Sequence, residues 1–384
     1  MRDLIACDVL TGFLGSGKTT LLNAFLRSPA AKGAAVIVNE VGAVGIDQLV
    51  LSQVAENLKL LESGCLCCTL SGSLRDTVLV LLEDAQRAGL PVSRLIVETT
   101  GLAEPQPILH SLLGDKGLTQ AVRLDRVITT VDAEHVRDHV VRHPEVARQI
   151  AAADVLVLSK TDLVAPADAE QIEAWLDTVN PLAAHERSVA GAAAEVVFAT
   201  QTLSQPQAGQ LRALHEAGRG VPGTKGVVHA ALAHAEGSGA DDADDDPAAS
   251  VGYLGHAAPL HTRLRTESFF LDTPVTWAGL AAWWHLVSQH YGDDLLRCKG
   301  LIRLSGTAEP VAIIQAVGRH FHPPTFLPAW PDADPRSRVV CIGVGLAREW
   351  LDASLRALQI NEPGLLPSTM AELDTLFPNF PEDR

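Results

Sequence analysis

Two groups of residues in this 384-residue chain have types and spacing suited to chemistry. The first is GFLGSGKT, Gly12 to Thr19, which fits G-x-x-x-x-G-K-[ST] and stands between an apolar run and the helix-like TTLLNAFL. Gly12, Gly15 and Gly17 let the backbone take conformations that a Cβ forbids, so its amides can converge on phosphate oxygens. Lys18 can set its ammonium against the β- and γ-phosphates, and the Thr19 hydroxyl can ligate Mg²⁺. Ser16 and Thr20 complete the expected nucleotide-binding stretch. A helix N-terminus at this point adds a dipole that favours an anion. The second group is ESGCLCCTL, Glu62 to Leu70, which places Cys65, Cys67 and Cys68 within four positions of a chain that has six cysteines. A disulfide framework scatters its cysteines through a short secreted chain, and the adjacent pair Cys67 and Cys68 bridges poorly. Metal binding, redox exchange and three small buried hydrophobes are the remaining readings.

Thiolates suit Zn²⁺ and other soft or borderline ions, with Zn–S distances of about 2.3 Å. Two or three thiolates leave a tetrahedral ion incomplete, which fits a carrier that must release its cargo; structural sites normally close with four ligands. Glu40 is a candidate extra ligand. Co²⁺ and Fe²⁺ use the same donor types, so the residues alone do not select the ion.

Further nucleotide elements follow in register. SKTD, Ser159 to Asp162, ends the apolar run DVLVL. There the Asp162 carboxylate can accept from both the ring N–H and the exocyclic amine of guanine, while Lys160 lays its stem along the base. This favours GTP over ATP. RLIVETTG, Arg94 to Gly101, delivers Glu98 toward Mg²⁺, and the Gly101 amide can sense the γ-phosphate. VNEVGAVGID, Val38 to Asp47, has the glycines of a switch segment, with Asp47 as a Mg²⁺-facing or water-positioning candidate.

The elements that must hold these residues are legible in outline. From Leu4 to about Thr200 short aliphatic runs alternate with helical stretches, the pattern of an α/β fold with a parallel sheet covered by helices on both faces. The candidate strands are LIACDVLTG, AAVIVNE, RLIVETTG, RVITTVDA, DVLVLSKTD and AEVVFAT. The expected division is a P-loop domain over 1–222, a His- and Asp-containing linker over 223–261, and a smaller α+β domain over 262–384. That last unit reads as strand, helix WAGLAAWWHLVSQHY, two strands, a further strand and a closing helix. Trp283, Trp284 and His285 read as core or a partner face. His135, His139 and His143, at i, i+4 and i+8, share one face of a surface helix. The linker histidines His229, His234, His256 and His261 flank DDADDD, a run that reads as a solvated segment.

Acidic residues outnumber basic ones 46 to 30, a net charge of −16, which excludes the clustered cations of a nucleic-acid binder. No apolar run approaches the ~20 residues of a membrane span. No secretory leader is evident, so the expected address is the cytoplasm, where thiols stay reduced. Nothing in the residues marks an oligomeric state.

Together GFLGSGKTT, VNEVGAVGID, GCLCC, ETTGLAEP, SKTD and LLRCKGLIRLSG…AVGRHF resemble the CobW-like P-loop GTPases. That metallochaperone group includes zinc chaperones, cobalt-handling proteins and nitrile hydratase activators. The resemblance spans nearly the whole chain and implies GTP hydrolysis coupled to metal delivery to a client metalloprotein, with Cys65, Cys67 and Cys68 as ligands. Zinc is the leading cargo; a cobalt or iron insertion GTPase and a non-catalytic metal sensor or buffer are the alternatives. Three positions depart from the pattern: Val38 stands where many relatives have Glu, Ala43 replaces a common acid, and Ser159 replaces Asn.

Overall fold

The structure, a computed structural model, describes residues 4–38, 59–60, 66–69, 73–198, 263–331 and 333–376. Glu40, Asp47, Cys65 and the linker histidines lie outside the described residues. The N-terminal sheet runs in the order β3-β4-β2-β5-β1-β6-β7-β8. Its strands are β1 Ile5–Gly12, β2 Ala34–Val38, β3 Lys59–Leu60, β4 Leu66–Thr69, β5 Arg94–Glu98, β6 Val122–Asp132, β7 Val155–Ser159 and β8 Ala184–Ser188. Every neighbouring pair is parallel except β3 with β4. Parallel strands need crossovers, so helices cover the sheet and its apolar residues divide by strand alternation. Leu10, Ile96 and Ile128 join Leu21, Leu22 and Phe25 of α1 (Lys18–Leu26). Val9, Val97 and Val127 join Val78 and Leu81 of α2 (Leu74–Arg87) and Leu109 of α3 (Gln106–Gly114) on the other face.

One expected strand is different. AEVVFAT forms no strand where described: Ala194–Val197 is a one-turn helix, and the edge strand is the polar stretch Ala184–Ser188. Val197 and Phe198 instead cap the face built on α1, with the Phe198 ring 4.6 Å from that of Phe25. A β-branched run bounded by small residues fits a buried helical turn as well as a strand, and burial decided here.

Leu118 of α4 (Leu118–Ala121) joins the core that holds Val9 and Leu109, while α5 (Val136–Arg142), α6 (Pro144–Ala152) and α7 (Pro166–Val179) pack with Val131 of β6 and Leu156 and Leu158 of β7. The C-terminal sheet is antiparallel. Its strands are β9 Leu264–Leu271, β10 Leu295–Ile302, β11 Val311–Val317, β12 His320–Phe321, β13 Thr325–Leu327 and β14 Ser337–Val344. One face packs on the long helix Trp277–Tyr291, where Trp283 is fully buried and donates from its indole to Ser354 Oγ at 3.0 Å. The other face shares a core with α6 and α7 through Leu296, Val340, Ile150 and Leu176. Within that seam Asp154 is buried between Arg297 and Lys299 of β10, with Lys299 Nζ 2.9 Å away. No helix among the described residues is long and apolar enough to cross a membrane.

Candidate nucleotide site

The site lies at the carboxyl ends of β1, β5, β6 and β7, where an open parallel sheet presents its ligand crevice. Gly12 leaves β1 at φ +137°, and a Cβ there would lie 2.3 Å from Thr130 Oγ1 and 2.5 Å from its carbonyl oxygen. Gly15 and Gly17 also take positive φ, and Gly17 opens α1 without any side-chain cap. The first amides of α1 are therefore left for an anion. Lys18 is nearly buried and arches over the loop, its ammonium donating to Gly12 O at 2.8 Å and Phe13 O at 3.1 Å.

Thr19 Oγ1 donates to Glu98 Oε1 at 3.1 Å, joining the start of α1 to the end of β5. A hydroxyl and a carboxylate this close form a hard oxygen donor pair of the kind Mg²⁺ selects. Gly101 presses on the loop so closely that a Cβ would stand 2.5 Å from Leu14 N. Ser159 donates to Ser16 O at 2.8 Å, tying β7 to the loop. Lys160 takes a left-handed φ of 57° and donates to Asp132 Oδ2 at 2.7 Å, while Asp162 is exposed. The structure thus brings Gly12, Gly15, Ser16, Gly17, Lys18, Thr19, Glu98, Gly101, Ser159 and Lys160 to one end of the sheet, whereas Thr20 and Asp162 are exposed with no side-chain contact that ties them to it among the described residues.

Asp132, at the end of β6, escaped the sequence reading. Burial opposes its ionisation, but Lys160, the Glu134 amide and His135 outweigh it and hold the carboxyl below the usual carboxylate range. Its signal was the lone acid closing the apolar run RVITTVDA. Gln149 of α6 was missed as well: its Nε2 donates to Gly101 O at 3.1 Å and Ala103 O at 3.0 Å. The three histidines do share a side of α5, His135 and His143 flanking the helix. They are more than a solvated face, because the rings of His139 and His143 lie 4.6 and 4.5 Å from that of Phe13 in the phosphate loop. Burial pushes the His139 imidazole down.

Cys67 and Cys68 lie in β4, paired in parallel register with Val36 and Ile37 of β2. On its other side β2 pairs with β5, and Val38 stands level with Glu98. The cysteine strand is therefore two strands from the β5 terminus that meets Thr19.

A phosphate loop on β1, a threonine–glutamate link to β5 and a lysine–aspartate strand end on β7 define a P-loop nucleotide-binding fold. The chain belongs to the CobW family: residues 6–186 match the CobW/HypB/UreG nucleotide-binding domain and residues 264–359 the cobalamin synthesis protein cobW C-terminal domain. It is 30% identical over 356 residues to the zinc chaperone YjiA of Escherichia coli K12, covering 92% of this chain and 99% of that protein. The zinc chaperone CobW of a Sinorhizobium species is 28% identical over 376 residues, covering 88% and 93% respectively. The crystal structure of the Zn(II)-bound YjiA GTPase superposes with a TM-score of 0.62 at 26% identity, covering 94% of this chain and all of that one.

Proposed function

We propose that this protein is a GTP-hydrolysing metallochaperone that takes up Zn²⁺ at Cys65, Cys67 and Cys68 and delivers it to a client metalloprotein. The observation that carries the reading is the sheet order β4-β2-β5-β1, which sets a cysteine-bearing strand two strands from Glu98 and three from the phosphate loop. Glu40 follows β2 and is the proposed additional ligand; Asp47, further along the same segment, is the proposed water-positioning group.

In the proposed reaction water attacks the γ-phosphorus in line while the bond to the β-phosphate oxygen breaks, leaving GDP and phosphate. The Lys18 ammonium exchanges the Gly12 and Phe13 carbonyls for phosphate oxygens, and the loop amides stabilise the charge that develops on the transferred group. Thr19 and Glu98 would hold Mg²⁺, which supplies charge neutralisation at the β- and γ-oxygens. Ser159 fixes the loop from behind, and Lys160 and Asp162 hold the guanine. Zinc, as cargo, is bound by thiolates and released when the β2–β4 region rearranges with the nucleotide.

Phosphate release from GTP by the purified protein tests the enzyme. Turnover should fall at least a hundred-fold in Lys18→Ala, since removing one such transition-state contact costs about 10²–10³ in rate. Turnover untouched by Lys18→Ala would disprove the active-site assignment.

A further inference from the structure

Between Glu98 and α3 the chain makes a tight turn, closed by the Ala103 amide donating to Thr100 O at 3.1 Å. Gly101 in this turn lies against Leu14 of the phosphate loop on one side. On the other side stands Gln149, which is 1% exposed. Two carbonyl oxygens, Gly101 O and Ala103 O, lie within hydrogen-bond distance of the same amide atom, so that atom must be the nitrogen. The other end of the side chain, Oε1, is buried with no hydrogen-bond partner among the described residues. A buried amide left half satisfied costs free energy, so this side chain is held here by the turn it grips.

The surroundings make Gln149 rigid. Thr129 of β6 donates its hydroxyl to the Gln149 carbonyl at 2.9 Å, and one residue earlier Arg148 pairs with Glu104 beyond the turn. Gln149 also lines a cavity of about 10 Å³ together with Phe13, Ser16 and Thr130, behind the phosphate loop. Helix α6 therefore holds the turn, and faces the loop across this cavity, through one side chain.

We infer that Gln149 is a positioning residue that sets the Gly101 turn for reading the γ-phosphate, so that it governs discrimination between GTP and GDP. The inference rests on the GTPase reading above. Both of its N–H groups hold turn carbonyls, which fixes the Gly101 peptide against the loop; Oε1 offers a turn N–H an acceptor when the turn peptides reorient around a γ-phosphate. GDP has no γ-phosphate for the turn to read, so its binding does not draw on this contact.

Gln149→Met keeps the length of the side chain and removes both donors. Titration of wild type and variant with GDP and with a non-hydrolysable GTP analogue should show the analogue weakened roughly five-fold and GDP less than two-fold, because the donor bonds are lost in both states whereas the bond to Oε1, worth about 1 kcal/mol, is lost only where the γ-phosphate is bound. A side chain that merely stabilises α6 would lower both affinities equally, or lower only the melting temperature, and either result overturns the inference. Should the variant not fold, hydrogen exchange in the wild type decides. Amides of Leu102 and Ala103 exchanging more slowly with the analogue than with GDP support the proposal, and identical exchange overturns it. A wild type that binds neither nucleotide removes the GTPase reading and this inference together, whereas normal binding with an unchanged ratio removes only this one.

Discussion

Asp154→Asn should cost the protein about 3–5 kcal/mol, the usual loss when one member of a buried ion cluster is removed. Asp154 is buried against two cations, Arg297 and Lys299, which are themselves 2% and 5% exposed. Asparagine keeps the size of the side chain and an oxygen for the Val127 amide, now 2.9 Å from Asp154 Oδ2, yet leaves both cations buried without a counter-ion. Burial works against the Asp154 anion, but Arg297 and Lys299 outweigh it and hold its carboxyl well below the usual carboxylate range. The folded pKa is depressed, so this stabilisation is complete above the unfolded value near 4 and is lost only as pH falls through the far lower folded value. Between pH 5 and 7 the deficit of the variant should therefore be flat, and it should shrink at higher pH, because burial already pushes the Lys299 ammonium down and the variant removes the Asp154 charge that opposes this. In a thermal melt followed by circular dichroism the deficit corresponds to a fall of roughly 6–20 °C, at the 2–4 °C per kcal/mol of a domain of about 150–250 residues. Half-molar salt should recover little of it, because buried pairs are poorly screened. Replacing the cations as well, as Asp154→Asn with Arg297→Met and Lys299→Met, keeps an oxygen for the Val127 amide and should return stability to near wild type. A shift under 2 °C for Asp154→Asn would refute the claim that this cluster joins the two sheets.

Gly12→Ala should weaken guanine-nucleotide binding more than ten-fold by calorimetry, since its Cβ would lie 2.3 Å from Thr130 Oγ1 at a φ that disfavours any side chain. Asp162→Asn should shift preference from GTP to xanthosine triphosphate in a turnover assay; unchanged GTP use would return adenine nucleotides to consideration. Burial, helped by Arg297, pushes the His322 imidazole down from 6.5 to about 4. The unfolded chain then binds more protons below pH 6.5, so stability should decline as pH falls from about 6.5 toward 4, and His322→Gln should flatten that part of the melting-temperature profile.

The phosphate loop, the β7 strand end and the strands β1, β2, β5, β6 and β7 were readable because each is written locally: a glycine spacing, an apolar run, a terminal acid. The same holds for Trp277–Tyr291 and the strands around it, whose periodicities differ clearly. Residues that act across the fold were not readable. Asp132 and Lys160 are 28 positions apart, and Gln149 reaches Gly101 across 48, so neither partnership leaves a spacing in the chain. The strand expected at AEVVFAT failed for a related reason, since short β-branched runs are compatible with either element until tertiary burial selects one. The histidines beside α5 were read by helical period as one face, but the tilted packing of His139 and His143 against Phe13 depends on where β1 and α5 meet.

Control of the thiolate metal site by the nucleotide state requires a difference in metal affinity between the two states. Zn²⁺ affinity, measured by competition with a chromophoric chelator, should differ at least five-fold between protein loaded with Mg²⁺ and a GTP analogue and protein loaded with GDP, the lower end of ordinary allosteric coupling. In the variant with Cys65, Cys67 and Cys68 all changed to Ala, tight binding and its nucleotide dependence should both disappear. Equal affinities in the two nucleotide states, or tight binding that survives the triple replacement, would contradict the account.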